Sequence, residues 1–292
     1  MSRLVALPAL LVVAALALVG CGGGNTITVG SANFAESQLL AALYAEALKA
    51  KGIAVDETPP LGSREAYIPA LQDGSIDLIP EYTGTLLQYF DKTAPQTAPD
   101  QVYAALVKVL PKPLTVLKMS EAQDKDAVVV TKATAQRYRA TSIADLAPHC
   151  GELVFGGPPE FVQRPDGLPG IQRLYGCTFA PGYKNLDAGG PLTLKALTAN
   201  QIQAADIFTT DPNIEAENLV ALTDPKDNFA AQNVVPLING AKLTPQVTEI
   251  LNAVSAKLGT AALIQLNAQF NAPDKPDQST VAKEWLRGNG LG

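Results

Sequence analysis

The hexapeptide Pro80-Glu81-Tyr82-Thr83-Gly84-Thr85 sets a carboxylate, an aromatic ring, two hydroxyls and a glycine side by side. It follows Gly74-Ser75 and the apolar Ile76-Asp77-Leu78-Ile79, which read as a turn and a short buried strand. A strand tip of this composition is not built for packing alone. A ring face and two hydroxyls suit the holding of a small solute. Residue types for catalysis are scarcer. His149 is the only histidine, so a Ser-His dyad or a zinc site would have to use it. As a loop residue beside Cys150 it reads more simply as structural. No Gly-x-Ser-x-Gly occurs, and no spacing marks a pair of catalytic acids.

The three cysteines divide by position. Met1-Ser2-Arg3 gives a short positive start, and residues 4–19 form an apolar run too short for a comfortable membrane span, a secretory leader over residues 1–20. The leader ends in Leu18-Val19-Gly20-Cys21, which matches the bacterial lipobox, and residues 21–25 form an acylated cysteine and a glycine-rich tether. The mature chain is then expected on the extracytoplasmic face of the membrane, anchored through lipid on Cys21. Cys150 and Cys177 remain, an even pair in an oxidising compartment. A disulfide between them is the expectation, and a reactive or metal-binding thiol the alternative.

The elements that position these residues follow from hydrophobic periodicity. Residues 27–31, 53–56 and 76–79 read as strands. Residues 36–50 form an amphipathic helix stopped at Gly52, and residues 66–71 a short helix. Strand and helix alternating over under sixty residues argue for a parallel sheet flanked by helices. Residues 127–130, 152–155 and 205–208 repeat the pattern, with helical pieces at 134–138, 170–175 and 194–200. Thr244-Pro245 opens a helical tail over 247–258, 260–270 and 280–287. The simplest architecture is two α/β lobes with the tail returning to the first, which leaves a cleft at the strand ends. With 292 residues and 47% hydrophobic content the chain can bury a sizeable core, and a net charge of −6 without a basic run excludes a nucleic-acid binder.

Three blocks carry a resemblance: Val29-Gly30-Ser31-Ala32-Asn33-Phe34-Ala35-Glu36, Asp77-Leu78-Ile79-Pro80-Glu81-Tyr82-Thr83-Gly84-Thr85 and Phe208-Thr209-Thr210-Asp211. In this order and spacing the chain resembles the substrate-binding proteins of osmoprotectant ABC importers, the glycine betaine/choline/carnitine family. The resemblance implies an α/β, two-lobed periplasmic-binding-protein (type II) fold, each lobe a mixed sheet flanked by helices. Residues 26–122 and 230–292 would form the first lobe and 123–229 the second, with segments 120–124 and 224–228 crossing between them. It also implies a monomer that catalyses nothing and uses no cofactor or metal. Such a protein hands a small solute to permease subunits served by a cytoplasmic ATPase.

The family's ligand typically carries a quaternary ammonium, held by aromatic faces, and often a carboxylate, held by positive side chains and hydroxyls. By resemblance Tyr82 is a box tyrosine, Thr85 a carboxylate-binding hydroxyl and Arg164 the arginine of the carboxylate site. Asn33 joins them from the first block, and Phe208 keeps the ring of a third box position. Departures accompany these matches. Ala32 stands where lysine is frequent, and Asp126 and Gln232 stand where the family has two further tyrosines. Asp126 and Gln232 offer hydrogen bonds that a quaternary ammonium cannot return. A neutral hydroxylated or aromatic ligand, using Asp126, Gln232 and Asn233, is therefore the alternative. A secreted lipoprotein hydrolase and an adhesive surface protein are more distant ones.

Overall fold

The computed structural model describes residues 26–272, 274 and 276–292. The leader of residues 1–20, the expected lipid site Cys21 and the tether of residues 21–25 lie outside the described residues.

In chain order the strands are β1 (Ile27–Val29), β2 (Val55–Glu57), β3 (Leu78–Tyr82), β4 (Leu114–Val116), β5 (Asp126–Thr131), β6 (Phe155–Gly157), β7 (Tyr183–Asn185), β8 (Ala204–Phe208), β9 (Leu219–Ala221) and β10 (Val234–Asn239). They form two five-stranded sheets, in the orders β2-β1-β3-β10-β4 and β7-β6-β8-β5-β9. Within the first sheet β1 runs parallel to β2 and β3, and β10 runs antiparallel to β3 and β4. The second repeats the scheme: β6 is parallel to β7 and β8, and β5 is antiparallel to β8 and β9. Strand-helix alternation predicts the parallel part. The two antiparallel members are the strands that begin where the chain enters each sheet from the other.

Those two entries lie side by side. Gln123 pairs with Asn233 in an antiparallel bridge, and the backbone amides of Asp124 and Val234 donate to Gln232 O (3.1 Å) and Ala122 O (3.0 Å). Segment 120–124 is thus hydrogen-bonded to 232–234. Phe229 packs into the core of the second sheet, and Ala230 and Ala231 pack into the core of the first.

Each sheet is covered on both faces, because neighbouring side chains of a strand point to opposite sides. Leu78, Val234 and Ile238 join the helix Ala35–Ala50, and Ile79, Val235 and Leu237 join helices Arg64–Asp73, Thr83–Phe90 and Pro99–Val109. Tail helices Pro245–Ser255, Thr260–Phe270 and Gln278–Gly288 pack on Ala35–Ala50, so this helix is buried nearly all round rather than on one face. The Thr244 hydroxyl accepts from Val247 N at 3.1 Å, capping the tail where Thr-Pro marks its start. In the second lobe Cys150 and Cys177 form a buried disulfide, with Cα atoms 5.4 Å apart.

Candidate ligand-binding site

The six residues 80–85 straddle a junction. Pro80, Glu81 and Tyr82 end β3, and Thr83 begins the helix Thr83–Phe90. The crossing segment lies directly against them. Thr83 N donates to Asn233 O (3.1 Å), and the Thr83 hydroxyl donates to Ala231 O (3.2 Å) and accepts from Asn233 N (3.0 Å). A Cβ at position 84 would meet Ala231 O at 2.6 Å, so glycine is what lets the two segments lie this close. Glu81 is fully buried and fully paired. It accepts from Arg64 Nε (2.7 Å) and Nη2 (2.8 Å), from the Tyr67 hydroxyl (2.7 Å) and from Tyr82 N (2.8 Å). Its role is to lock this corner, since a buried acid with a bidentate arginine and two further donors has nothing left to offer a solute.

One cavity between the two sheets is lined by Asn33, Tyr82, Thr85, Asp126, Arg164, Phe208 and Gln232, every residue singled out from sequence except Asn233. Asn33, Tyr82, Thr85 and Gln232 come from the side of the first sheet, and Asp126, Arg164 and Phe208 from the second. Phe34, Arg64, Tyr67, Asp124 and Glu160 also line it. Phe34 changes the aromatic count. Its ring centroid lies 5.2 Å from Phe208 and 6.1 Å from Tyr82, so three rings form one connected wall. Phe34 stands in the first of the blocks that carry the resemblance, but an aromatic beside a helix start reads as core. Arg64, at the start of a short helix, carries no sequence signal.

Polar chemistry is divided around that wall. The Gln232 amide oxygen accepts from Thr85 N at 3.0 Å, and its nitrogen donates to the Thr85 hydroxyl. Gln232 is thus satisfied within the protein. The Thr85 hydroxyl, used as an acceptor, keeps its own hydrogen to donate. This removes the objection that Gln232 would be left unpaired by a quaternary ammonium. Asn233, also considered for a hydroxylated ligand, turns away: its Nδ2 donates to Ser120 O at 2.9 Å and it does not line the cavity. Arg164 is half-buried, with Nη2 3.6 Å from Glu160 Oε1.

Asp126 is buried rather than solvated, and its Oδ1 has no hydrogen-bond partner among the described residues. Burial holds its carboxyl above the usual range, against the pull of Arg164 and then Arg64. Asp206, buried two residues before Phe208, lies against Asp126, and its oxygens meet no other donor among the described residues; burial and then Asp126 push it well above the usual range. Burial, followed by Asp126, raises Asp166 to about 6. Asp124, also in the cavity lining, is raised well above the usual range by burial and then by Glu36. A net arrangement results: a ring wall, a hydroxyl donor and a guanidinium along one cavity, with an acid whose buried Oδ1 has no hydrogen-bond partner among the described residues.

The family described as the substrate-binding domain of the ABC-type glycine betaine transport system matches residues 25–288. The chain belongs to this family. It is 28% identical over 288 residues to the glycine-betaine-binding protein of Pseudomonas aeruginosa, covering 94% of this chain and 91% of that one. It is 28% identical over 227 residues to the ergothioneine transport permease/ergothioneine binding protein of Helicobacter pylori, covering 76% of this chain and 40% of that longer one. Among solved structures, a glycine betaine/carnitine/choline ABC transporter protein superposes with a TM-score of 0.72 at 24% identity, over 91% of this chain and 99% of that one. Members of this glycine betaine family are solute-binding transport proteins rather than enzymes, and they work outside the cytoplasm with the permease and ATPase components of ABC importers. The two mixed sheets flanked by helices are the type II periplasmic-binding-protein fold.

Proposed function

We infer that this protein is a lipid-anchored receptor, held at the outer face of the membrane through Cys21, that captures a glycine betaine-, choline- or carnitine-like solute. Residues 123–229 close as a monomer's second lobe over residues 26–122 and 230–292, and the closed form is delivered to an ABC permease. The observation that carries this reading is the ring wall of Phe34, Tyr82 and Phe208 in one cavity with Thr85 and Arg164. A quaternary ammonium cannot donate hydrogen bonds, so ring faces are its natural receptor. A carboxylate at the other end of such a solute would take the Thr85 hydroxyl, Arg164 and, at the mouth, Asn33. Calorimetric titration with glycine betaine, choline and carnitine, with mass spectrometry of any co-purified solute, tests it. Absence of binding to all three, with a different solute co-purifying, would overturn it.

The unpaired Asp126 oxygen favours a second reading of the same site. A solute with an N–H or O–H donor beside its cationic or aromatic group would pair that oxygen. The Helicobacter pylori relative, described as ergothioneine-binding, makes donor-bearing heteroaromatic betaines the natural addition to the titration set. Neutral hydroxylated solutes complete it.

A further inference from the structure

Beside the candidate cavity, where Phe34 and Phe208 also line a second cavity with Glu36, Thr210 and Asn267, the carboxylate of Glu36 gathers three donors. The Tyr82 hydroxyl donates to Oε1 at 2.5 Å, and the Thr210 hydroxyl and Asn267 Nδ2 each donate to Oε2 at 2.5 Å. Glu36 is only 5% exposed and has no cation within ion-pair distance among the described residues. Its partners come from different bodies. Tyr82 ends β3 of the first sheet, and Asn267 lies on a tail helix packed against that sheet. Thr210 follows Phe208 at the end of β8 in the second sheet. Thr210 is clasped further: Asp124 Oδ1, in the crossing segment, accepts from its amide at 3.1 Å, and Asn267 Nδ2 lies 3.2 Å from its hydroxyl.

We propose that Glu36 is a positioning residue and a latch across the cleft, touching no solute. One carboxylate fixes the Tyr82 ring through its hydroxyl and holds the Phe208-bearing turn of the opposite lobe through Thr210. Hydrogen bonds to an ionised acceptor are stronger than neutral ones, and burial strengthens them further. Separation of the lobes leaves Glu36 with the two donors of its own lobe and takes away the third. The ring wall is therefore assembled and released together with closure, and the latch sets the closed population before any solute arrives. The solute class rests on the proposed function; the latch itself does not.

The test compares Thr210→Val, which keeps the shape and loses the hydroxyl, with Thr210→Ser, which keeps the hydroxyl. Spin labels at Lys108→Cys and Ala133→Cys, exposed positions on helices of opposite lobes, report lobe separation by dipolar distance measurement without any solute. Thr210→Val is expected to shift the distribution to longer distances, and Thr210→Ser to leave it as in the wild type. Glu36→Gln, in a second background, should lengthen it as Thr210→Val does, and the double variant should be no more open than either single. With glycine betaine as probe, Thr210→Val should weaken affinity about tenfold. Identical distance distributions in all variants, or a serine variant that opens like the valine one, would overturn the latch. A wild type that ignores glycine betaine yet shows the hydroxyl-dependent distances would overturn the proposed solute and keep the latch.

Discussion

Asp126 and Phe208 are a register pair across the antiparallel ladder of β5 and β8. Directly opposed residues share a face of the sheet with Cβ atoms roughly 5 Å apart. A carboxylate and a ring therefore enter the cavity as neighbours, and any solute touching Phe208 lies within reach of Asp126. What the solute offers that carboxylate decides between the two readings of the site.

Asp126→Tyr exploits this neighbourhood. The new ring would join Phe208 and extend the aromatic wall, so glycine betaine and choline should bind more tightly by about 0.5–2 kcal/mol. A solute that donates to Asp126 would instead lose about 1 kcal/mol or more. Titration calorimetry on the wild type and variant reads the sign directly. Weaker binding of every quaternary ammonium would favour the donor-bearing solute.

Tyr82 must be tested without collapsing the core, because it is 7% exposed and packs with Leu78 and Val234. Tyr82→Leu keeps apolar bulk and removes both the ring face and the hydroxyl bound to Glu36. Binding of glycine betaine should weaken by at least about 2 kcal/mol, some thirtyfold. Affinity within twofold of the wild type, in a variant that still unfolds cooperatively, would remove Tyr82 from the site.

Much of this arrangement was legible in the sequence, and the parts that were not have physical reasons. Tyr82 and Phe208 end strands and Thr85 lies in the first turn of the following helix, where periodicity changes and a polar or aromatic residue stands out. β10 escaped notice because Val234-Val235-Pro236-Leu237-Ile238 carries a proline in its middle, which normally argues against an inner strand. Here Pro236 stands opposite Pro80, so the two residues lacking an amide hydrogen share one rung. β4, β7 and β9 are three residues each, too short for any period to show. The expected strand at 152–155 begins only at Phe155, because the turn through Cys150 carries the chain as far as Glu152. Glu36 stands in the first of the resembling blocks, yet like Arg64 and Asp206 it gave no signal of its role, since an acid or arginine inside a helix or strand reads as solvated until a partner from distant sequence is known.

The Cys150–Cys177 bridge closes the segment that carries Glu160 and Arg164 of the cavity lining, but the bridge itself sits in the core with Phe155, Phe161 and Ile171. Replacing both cysteines by alanine should lower unfolding free energy by roughly 3 kcal/mol, the usual loop-closure figure for a segment of this length. Urea titration measures that loss. Solute affinity should stay within a factor of two, and a loss of affinity exceeding the loss of stability would tie the bridge to the cleft instead.

Asp166 offers a test in which the sign is fixed by linkage. Burial, and then the neighbouring Asp126, raise its carboxyl to about 6 from an unfolded value of 3.8, so in this window the native state holds a proton that the unfolded chain releases. Stability from this group is therefore unaffected below about pH 4 and falls as pH rises toward 6. Above that, the native state carries a penalty on the order of 3 kcal/mol, two pKa units at about 1.4 each. Asp166→Asn abolishes the titration while keeping a group able to face the Gln88 amide, whose nitrogen lies 3.1 Å from Oδ2 in its bonding orientation. The variant should be more stable than the wild type at pH 7, and the difference should shrink steadily to near zero at pH 4. Urea unfolding at pH 4, 5, 6 and 7 gives that difference directly. A gap independent of pH would mean that Asp166 is ionised in the native state throughout, with Arg164 outweighing burial.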